Sequence, residues 1–291
     1  MMRRACRCGV IEDVSTWSAP QPVVLPGSTS WQVQRDGRDW QVDVCVPEGD
    51  GPFPALYVLD GPGTFVGTAS IAQVLGTIMR GAVVPVAVVG IGPAVAPGVV
   101  DDAQRFWDFT PTDQVPERFA PVAPRAGGAD AFLDWVLGTV VPHVESRHPL
   151  RSDDRALAGW SLSGLLTCHA LLTRTASFRR YVAVSPSLWW QDGLLLDRVA
   201  DLATGALDGR ELFLVAGEHE GTSWAGQFPP LPATEEPVQL PDMVADGAAF
   251  AKAAERAGAR VHVEELAGES HGTLWWNAAR RAVVHLYGQP S

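Results

Sequence analysis

Ala158-Gly159-Trp160-Ser161-Leu162-Ser163-Gly164-Leu165 is the stretch of this sequence that decides the fold. It follows a short apolar run and opens a helical pattern that continues to Thr173. A serine with small residues two positions before and after it, between a strand and a helix, is typical of a tight turn that exposes a nucleophilic hydroxyl above a sheet. The helix beneath it offers N–H groups to developing negative charge. We therefore predict Ser161 as a nucleophile. The alternatives are that Ser163, which stands where glycine is usual, is the nucleophile, or that Ser161 has only a structural role in the turn.

Apolar runs on both sides of this turn predict the other strands of a sheet. Runs without alternation suit parallel strands that are covered on both faces; they are Ala55–Leu59, Val84–Ile91, Ala156–Ala158, Tyr181–Val184 and Leu212–Val215. Alternating segments predict an antiparallel hairpin at the start and an edge strand at the end; they are Trp31–Gln34, Trp40–Val46 and Arg260–Leu266. Helical patterns lie between the strands, at Ala131–Val144, Leu162–Thr173, Met243–Ala257 and Leu274–Leu286. This order favours an α/β fold with about eight strands, a mostly parallel sheet and helices on both faces. Residues 31–291 form the predicted single domain, and residues 1–30 an extension before it.

Composition excludes several classes of protein. The chain has 291 residues, of which 46% are hydrophobic and 19% charged, and its net charge is −11. A chain this acidic, with no cluster of Lys or Arg, is not expected to bind nucleic acid. Residues 81–100 carry no charge, but their three prolines favour a buried strand and a loop over a membrane span. We expect a cytoplasmic protein, because no apolar segment of the kind found in signal peptides follows Met1.

Cysteine spacing gives no reason to expect a metal or another cofactor. The four cysteines form no disulfide framework for a chain of this size. Cys6 and Cys8 could form half of a zinc site, but no second pair of Cys or His follows at ligand spacing.

A base and an acid for Ser161 are expected after the last strands. His271 lies in the loop Ala267–Gly272 after the final predicted strand, where a general base can reach the serine turn. Glu220 is the first candidate for the acid and Glu218 the second, since both follow the strand Leu212–Val215. Two alternatives stay open: both glutamates could be solvated loop charges, or a Ser–His pair could work without a close acid.

The loop after the third strand is expected to help to form an oxyanion hole. One donor would be the N–H of Leu162, and the other Gly61 or Gly63, because Pro62 has no N–H to give. Asp60 is expected to brace this loop. The irregular segments 101–128 and 219–241 also follow strands, where loops often belong to a site.

Five segments, in order, resemble the enterochelin esterase family of siderophore-ester hydrolases, within the esterase D-like group that includes S-formylglutathione hydrolases and mycolyltransferases. They are Leu59–Gly61, Arg105–Pro111, Gly159–Gly164, Ser185–Trp190, and His271 with Trp275 and Trp276. The resemblance implies an α/β-hydrolase fold, a catalytic pair of Ser161 and His271, and a substrate-facing role for Arg105 and for Trp189-Trp190. It also implies esters of catecholoyl-serine, usually handled as iron complexes, as substrates. Two features depart from the family: Ser163 replaces a common glycine, and the region before Trp31 is too short for the additional domain of some members.

The tryptophans beside the predicted loops offer flat apolar area to an aromatic ligand, with core packing as the alternative; they are Trp160, Trp189, Trp190, Trp275 and Trp276. Arg105 could meet an anionic group, although a net charge of −11 would not attract an anionic iron complex. We therefore expect a serine esterase that acts on a small-molecule ester, foremost an ester or lactone bond of a catecholate siderophore. The alternatives are an acyltransferase, a general carboxylesterase or thioesterase, or a non-catalytic ligand-binding protein on the same scaffold.

Overall fold

Eight strands form one sheet in the order β1-β2-β4-β3-β5-β6-β7-β8 in the computed structural model, which describes residues 23–79, 81–96, 99–221 and 241–289. The strands are β1 (Ser28–Arg35), β2 (Arg38–Cys45), β3 (Phe53–Leu59), β4 (Ala87–Pro93), β5 (Leu150–Trp160), β6 (Arg180–Val184), β7 (Glu211–Gly217) and β8 (Arg260–Leu266). The β1–β2 and β2–β4 pairs are antiparallel, and every other pair is parallel. The predicted α/β-hydrolase fold is confirmed.

Helices cover both faces of the sheet. They are α1 (Gly61–Ile78), α2 (Asp102–Phe109), α3 (Ala129–Trp135), α4 (Val141–Glu145), α5 (Leu162–Thr173), α6 (Leu194–Ala200), α7 (Met243–Arg256) and α8 (Leu274–Tyr287). Successive strand residues point to opposite faces, so Tyr57 belongs to the core under α2 to α7, whereas Val58 belongs to the core under α1 and α8. Burial on both faces explains why the central strands are apolar throughout.

Three helices differ from the prediction. The sequence was expected to form a loop after β3, but helix α1 begins there at once. Helix α2 occupies the start of the segment that was predicted to be irregular throughout. The predicted helix Ala131–Val144 is present as an unbroken helical segment, in which five residues of π-helix, Val136–Val140, lie between α3 and α4.

The chain changes direction across the sheet between β3 and β5. From β3 it passes through α1 to β4 on one side, and it then returns to β5 on the other side of β3. In open α/β sheets, ligands bind beyond the carboxyl ends of the strands at such a switch point. Asp60 follows β3 and Ser161 follows β5, so the fold brings these two residues to the same place.

Two expectations from the sequence concern membranes and metals. Within the described ranges, no helix has both the length and the hydropathy to cross a membrane. The uncharged stretch at 81–100 contains strand β4, as expected. Cys6 and Cys8 lie outside the described residues, and the cytoplasmic location stays a prediction.

Candidate active site

Ser161 lies in a strained turn at the carboxyl end of β5. Its backbone angles are φ 62° and ψ −117°, a region that costs a residue with a side chain on the order of 1–3 kcal/mol. Hydrogen bonds on both sides hold the turn: the N–H of Ser161 donates to the carbonyl of Val184 at 2.9 Å, and its carbonyl accepts from Leu165 at 2.9 Å and Ser187 at 3.1 Å. A turn that is held in this way presents the serine side chain above the sheet.

The neighbouring residues explain why the turn needs Gly159 and accepts Ser163. A Cβ atom at Gly159 would lie 2.1 Å from the carbonyl oxygen of Ser163, so no side chain fits there. The Ser163 hydroxyl is buried, accepts a hydrogen bond from the N–H of Trp160 at 2.8 Å and donates to Asp60 Oδ2 at 2.7 Å. Because this hydroxyl is occupied inside the protein, Ser163 is not the nucleophile but a residue that positions the serine turn, and Ser161 is left as the candidate nucleophile.

His271 is bonded to a buried carboxylate. Its Nδ1 atom lies 2.5 Å from Oε1 of Glu220, whose side chain is 0% exposed. The second oxygen, Oε2, accepts from the Ser185 hydroxyl at 2.5 Å and from the N–H of Gly217 at 2.7 Å. In the tautomer that has Nδ1–H donating to this fixed acceptor, the lone pair of the neutral ring lies on Nε2, which can then act as a base.

Of the two glutamates considered for the acid, only Glu220 contacts His271. Glu218 is exposed and accepts a hydrogen bond from the N–H of Gly268 at 2.8 Å instead. Both residues lie in a short 3₁₀ turn, Glu218–Glu220, that follows β7, and within it the Glu220 side chain is buried whereas Glu218 is exposed. The geometry therefore agrees with the first choice made from the sequence.

Ser161 and His271 line the same cavity, which has a volume of about 430 Å³. The Trp160 ring lies beside the imidazole, with 5.3 Å between the ring centroids. The cavity opens at the carboxyl ends of β3 and β5 and is lined by Asp60, Pro62, Gly63, Thr64, Pro93, Val95, Val99, Val100, Asp101, Arg105, Trp160, Ser161, His271, Gly272, Trp275 and Trp276. The predicted nucleophile and base, 110 positions apart in the sequence (161 and 271), are thus brought into one site.

Arg105 lines the cavity, but its guanidinium is held by a carboxylate of the protein. Nε donates to Asp60 Oδ1 at 2.8 Å and Nη2 to Asp60 Oδ2 at 3.1 Å. Burial lowers the pKa of Arg105, but Asp60 and Asp102 raise that pKa by more, so it lies above its ordinary value. Arg105 thus meets an anionic group of the protein, Asp60, which it braces against the serine turn, and contact with an anionic group of the substrate stays a prediction.

The oxyanion donors expected from the sequence are only partly available. The N–H of Leu162 is the first of helix α5, and the first N–H groups of a helix have no carbonyl partner within it. The N–H of Gly63 donates to the Asp60 carbonyl at 2.9 Å, which removes this alternative. Gly61 is buried at the start of α1, where a Cβ atom would lie 2.8 Å from the Ile91 nitrogen. A role for the N–H groups of Leu162 and Gly61 stays a prediction.

The tryptophans divide between the cavity and the core. Trp160, Trp275 and Trp276 line the cavity. The Trp276 side chain is 48% exposed, and its ring packs against the backbone of Gly67, which has no side chain. The expectation of substrate contact is wrong for Trp190, because its side chain is 0% exposed and its indole donates to the Thr112 hydroxyl at 2.8 Å.

The same expectation fails for Trp189, whose place is beside the aromatic core and not among the residues that line the cavity. Its ring stacks on Phe119, with 5.3 Å between the centroids. Trp189 and Trp190 thus follow β6 closely but are not among the residues that line the cavity with Ser161.

Two serines of the site were missed as functional candidates. Ser185 holds Glu220, as described above, and Ser187 Oγ lies 3.5 Å from Ser161 Oγ. Both directly follow β6 at the same sheet edge as Ser161, and this position was the signal that could have identified them.

Several known proteins similar to this chain are named as esterases. The family model named Esterase matches residues 34–234. A siderophore triacetylfusarinine C esterase of Aspergillus fumigatus is 36% identical over 188 residues, which are 61% of this chain and 61% of that protein, less than two thirds of its length. A siderophore enterobactin esterase of Emericella nidulans is 32% identical over 207 residues, 65% of this chain and 67% of that protein. The solved structure of siderophore hydrolase EstA from Aspergillus nidulans superposes with a TM-score of 0.73 at 25% identity, covering 94% of this chain and 99% of that one.

Proposed function

The chain belongs to the esterase family, and we propose that it hydrolyses ester bonds of a siderophore through a serine nucleophile, Ser161. One observation carries this proposal: Ser161, in its strained turn, shares a cavity with His271, and His271 is bonded to the buried carboxylate of Glu220. The names of the similar proteins support a siderophore ester as the substrate class. In a serine triad, the buried carboxylate holds the histidine in the tautomer that a base requires, so the Glu220–His271 pair supports catalysis.

The proposed mechanism follows from the placement of the three side chains. Nε2 of His271 takes the proton of the Ser161 hydroxyl as Oγ attacks the ester carbonyl carbon, and Glu220 stabilises the imidazolium that forms. The N–H groups of Leu162 and Gly61 are the proposed donors to the oxyanion. His271 then gives the proton to the leaving alcohol, and water, activated by the same nitrogen, releases the acyl group from Ser161.

The cavity supports a small molecule as the substrate. Its volume of about 430 Å³ falls within the range of roughly 300–1,000 Å³ that is usual for small-molecule sites. The proposal assigns the activity to one domain, supported by the single sheet to which the eight strands of the described ranges belong. The sheet begins at Ser28, three residues before the predicted boundary at residue 31. Iron enters this chemistry only as a component of the substrate.

The first experiment replaces the nucleophile. Ser161→Ala should reduce turnover of p-nitrophenyl acetate and of a siderophore triester by a factor of about 10³ or more, because no hydroxyl remains to be acylated. Ser152→Ala, an exposed serine at the opposite end of β5, is the matched control and should retain wild-type rates. Wild-type rates in Ser161→Ala would contradict the proposal.

A further inference from the structure

We infer that Ser187 is a further catalytic residue, whose hydroxyl donates a hydrogen bond to Oγ of Ser161 while that atom reacts, an inference that rests on the function proposed above. The two hydroxyl oxygens lie 3.5 Å apart. Ser187 is only 1% exposed, so the protein, and not bulk water, must supply its hydrogen bonds. It belongs to the segment Ser185-Pro186-Ser187, which follows β6 at the sheet edge where Ser161 lies.

The segment that carries Ser187 has a fixed backbone. Ser185 has a φ of 40°, a left-handed conformation that is unfavourable for a residue with a side chain and that recurs at active sites. The ring of Pro186 restricts the next φ. The N–H of Ser185 donates to the carbonyl of Val215 at 2.7 Å, and the N–H of Ser187 donates to the carbonyl of Ser161 at 3.1 Å. This last bond ties Ser187 to the nucleophile through the backbone and holds its hydroxyl beside Oγ.

The direction of the hydrogen bond follows from the proposed mechanism. Ser161 gives its proton to Nε2 of His271, so its Oγ can only accept from a second hydroxyl. Within the described ranges, the Ser187 hydroxyl is hydrogen-bonded to no atom other than Oγ of Ser161. Because a buried O–H is expected to have an acceptor, Ser187 is the donor and Ser161 the acceptor.

A donor at Oγ stabilises the negative charge that develops on this atom. The charge grows as the proton leaves and Oγ attacks the ester carbonyl, and again as Oγ becomes the leaving atom when water releases the acyl group. Hydrogen bonds to charged atoms are stronger than those to neutral ones, so Ser187 stabilises both transition states more than the resting enzyme. Its role differs from that of the N–H groups proposed for Leu162 and Gly61, which act on the carbonyl oxygen. A separation of 3.5 Å is long for an O–H···O bond, but catalytic hydrogen bonds often tighten only in the complex with substrate.

The test compares Ser187→Ala and Ser187→Thr with wild type in the hydrolysis of p-nitrophenyl acetate. The burst of nitrophenol measures acylation of Ser161, and the steady state that follows measures deacylation. Ser187→Ala should lower both rate constants about tenfold or more, because each step loses one hydrogen bond to a charged atom. KM should change by less than about threefold, since an equal loss in the two steps leaves their ratio unchanged.

A variant that keeps the hydroxyl separates the hydrogen bond from packing. Ser187→Thr retains the O–H donor and should keep at least about a third of the wild-type rates. Urea denaturation shows whether each variant is folded. If Ser187→Ala does not fold, Ser187→Cys takes its place, because a thiol has a similar shape but is a weak donor, and the same loss of rate is expected.

The outcomes separate this inference from the proposed function. An unchanged or higher kcat in folded Ser187→Ala, with Ser161→Ala inactive, would overturn the inference and leave the esterase function standing. Equal losses in Ser187→Ala and in folded Ser187→Thr would also overturn it, because the shape of the side chain and not its hydroxyl would then matter. Wild-type rates in Ser161→Ala would overturn both proposals, whereas a loss in Ser187→Ala that Ser187→Thr restores would support both.

Discussion

Replacing Glu220 by glutamine exchanges one carboxylate oxygen for an NH₂ group and should reverse the proton arrangement on His271. Oε2 of Glu220 accepts two hydrogen bonds, from Ser185 and from the N–H of Gly217. The amide oxygen must therefore take that position, and the NH₂ group must face Nδ1 of His271, 2.5 Å from the present Oε1. The imidazole can then pair with it only by accepting at Nδ1, which places its proton on Nε2.

A histidine with its proton on Nε2 cannot take a proton from Ser161. In a Ser-His-Asp triad, the matching exchange of carboxylate for amide lowers kcat by about 10⁴, which corresponds to about 5 kcal/mol in activation free energy. We expect a loss of this size in Glu220→Gln. KM should change by less than about threefold, because Glu220 is buried behind His271 and is not among the lining residues.

Initial rates with p-nitrophenyl acetate measure both constants, and urea denaturation shows whether the variant remains folded. Glu218→Gln is the matched control: Glu218 is exposed and bonded to the N–H of Gly268, so its rates should equal those of wild type. A folded Glu220→Gln with a kcat within threefold of wild type would refute the assignment of Glu220 as the acid.

Three more variants test other parts of the structure. Gly159→Ala should lose about 3 kcal/mol or more of unfolding free energy in urea, because its Cβ would lie 2.1 Å from the Ser163 carbonyl oxygen; unchanged stability would contradict this packing. Ser163→Ala should lower kcat about tenfold with KM nearly constant, since the Ser163 hydroxyl is hydrogen-bonded both to the N–H of Trp160 and to Asp60. An unchanged kcat in the folded variant would show that Ser163 has a purely structural role. Burial lowers the pKa of His169, so the unfolded state takes up its proton more readily, and wild type loses stability as the pH falls below about 6.5. His169→Gln should lose less stability than wild type over the same fall in pH. Superimposable plots of melting temperature against pH for the two proteins would contradict this expectation.

The sequence predicts the strands and the place of the candidate catalytic side chains at one sheet edge, because both follow from local patterns. Continuous apolar runs are enough to identify the strands of a sheet that is buried on both faces, and the last strand has the predicted bounds, Arg260–Leu266. Ser161, Glu220 and His271 each follow a parallel strand, and the carboxyl ends of such strands meet at one edge. Their positions along the chain therefore indicate that they are neighbours in space.

The two helices near the site, α1 and α2, were missed for different reasons, and only α1 has a weak pattern. The buried side of α1 consists mostly of small residues, Thr64, Thr68, Ala69 and Ala72, so it shows no marked apolar stripe, and exposed valines on the opposite side blur its period further. For α2 a signal was present: the Asp101 side chain accepts from the N–H of Gln104, an N-cap spacing that is readable in the sequence.

The side-chain partners of Arg105 and Trp190 could not be predicted from the sequence, because they depend on contacts between distant segments. Arg105 is 45 positions from Asp60, and Trp190 is 78 positions from Thr112. A position near a strand end places a residue at the correct edge of the sheet. It does not determine whether the side chain points to the cavity, to another side chain or to the core.

The most direct test of the central claim is labelling of the purified protein with a fluorophosphonate, followed by mass spectrometry of its peptides. Such probes react with a serine hydroxyl only when a base activates it. The account predicts one phosphonylated residue, Ser161, with labelling that is slowed strongly in His271→Asn. Absence of labelling in the folded wild-type protein, or labelling of Ser161 at the same rate in His271→Asn, would contradict it.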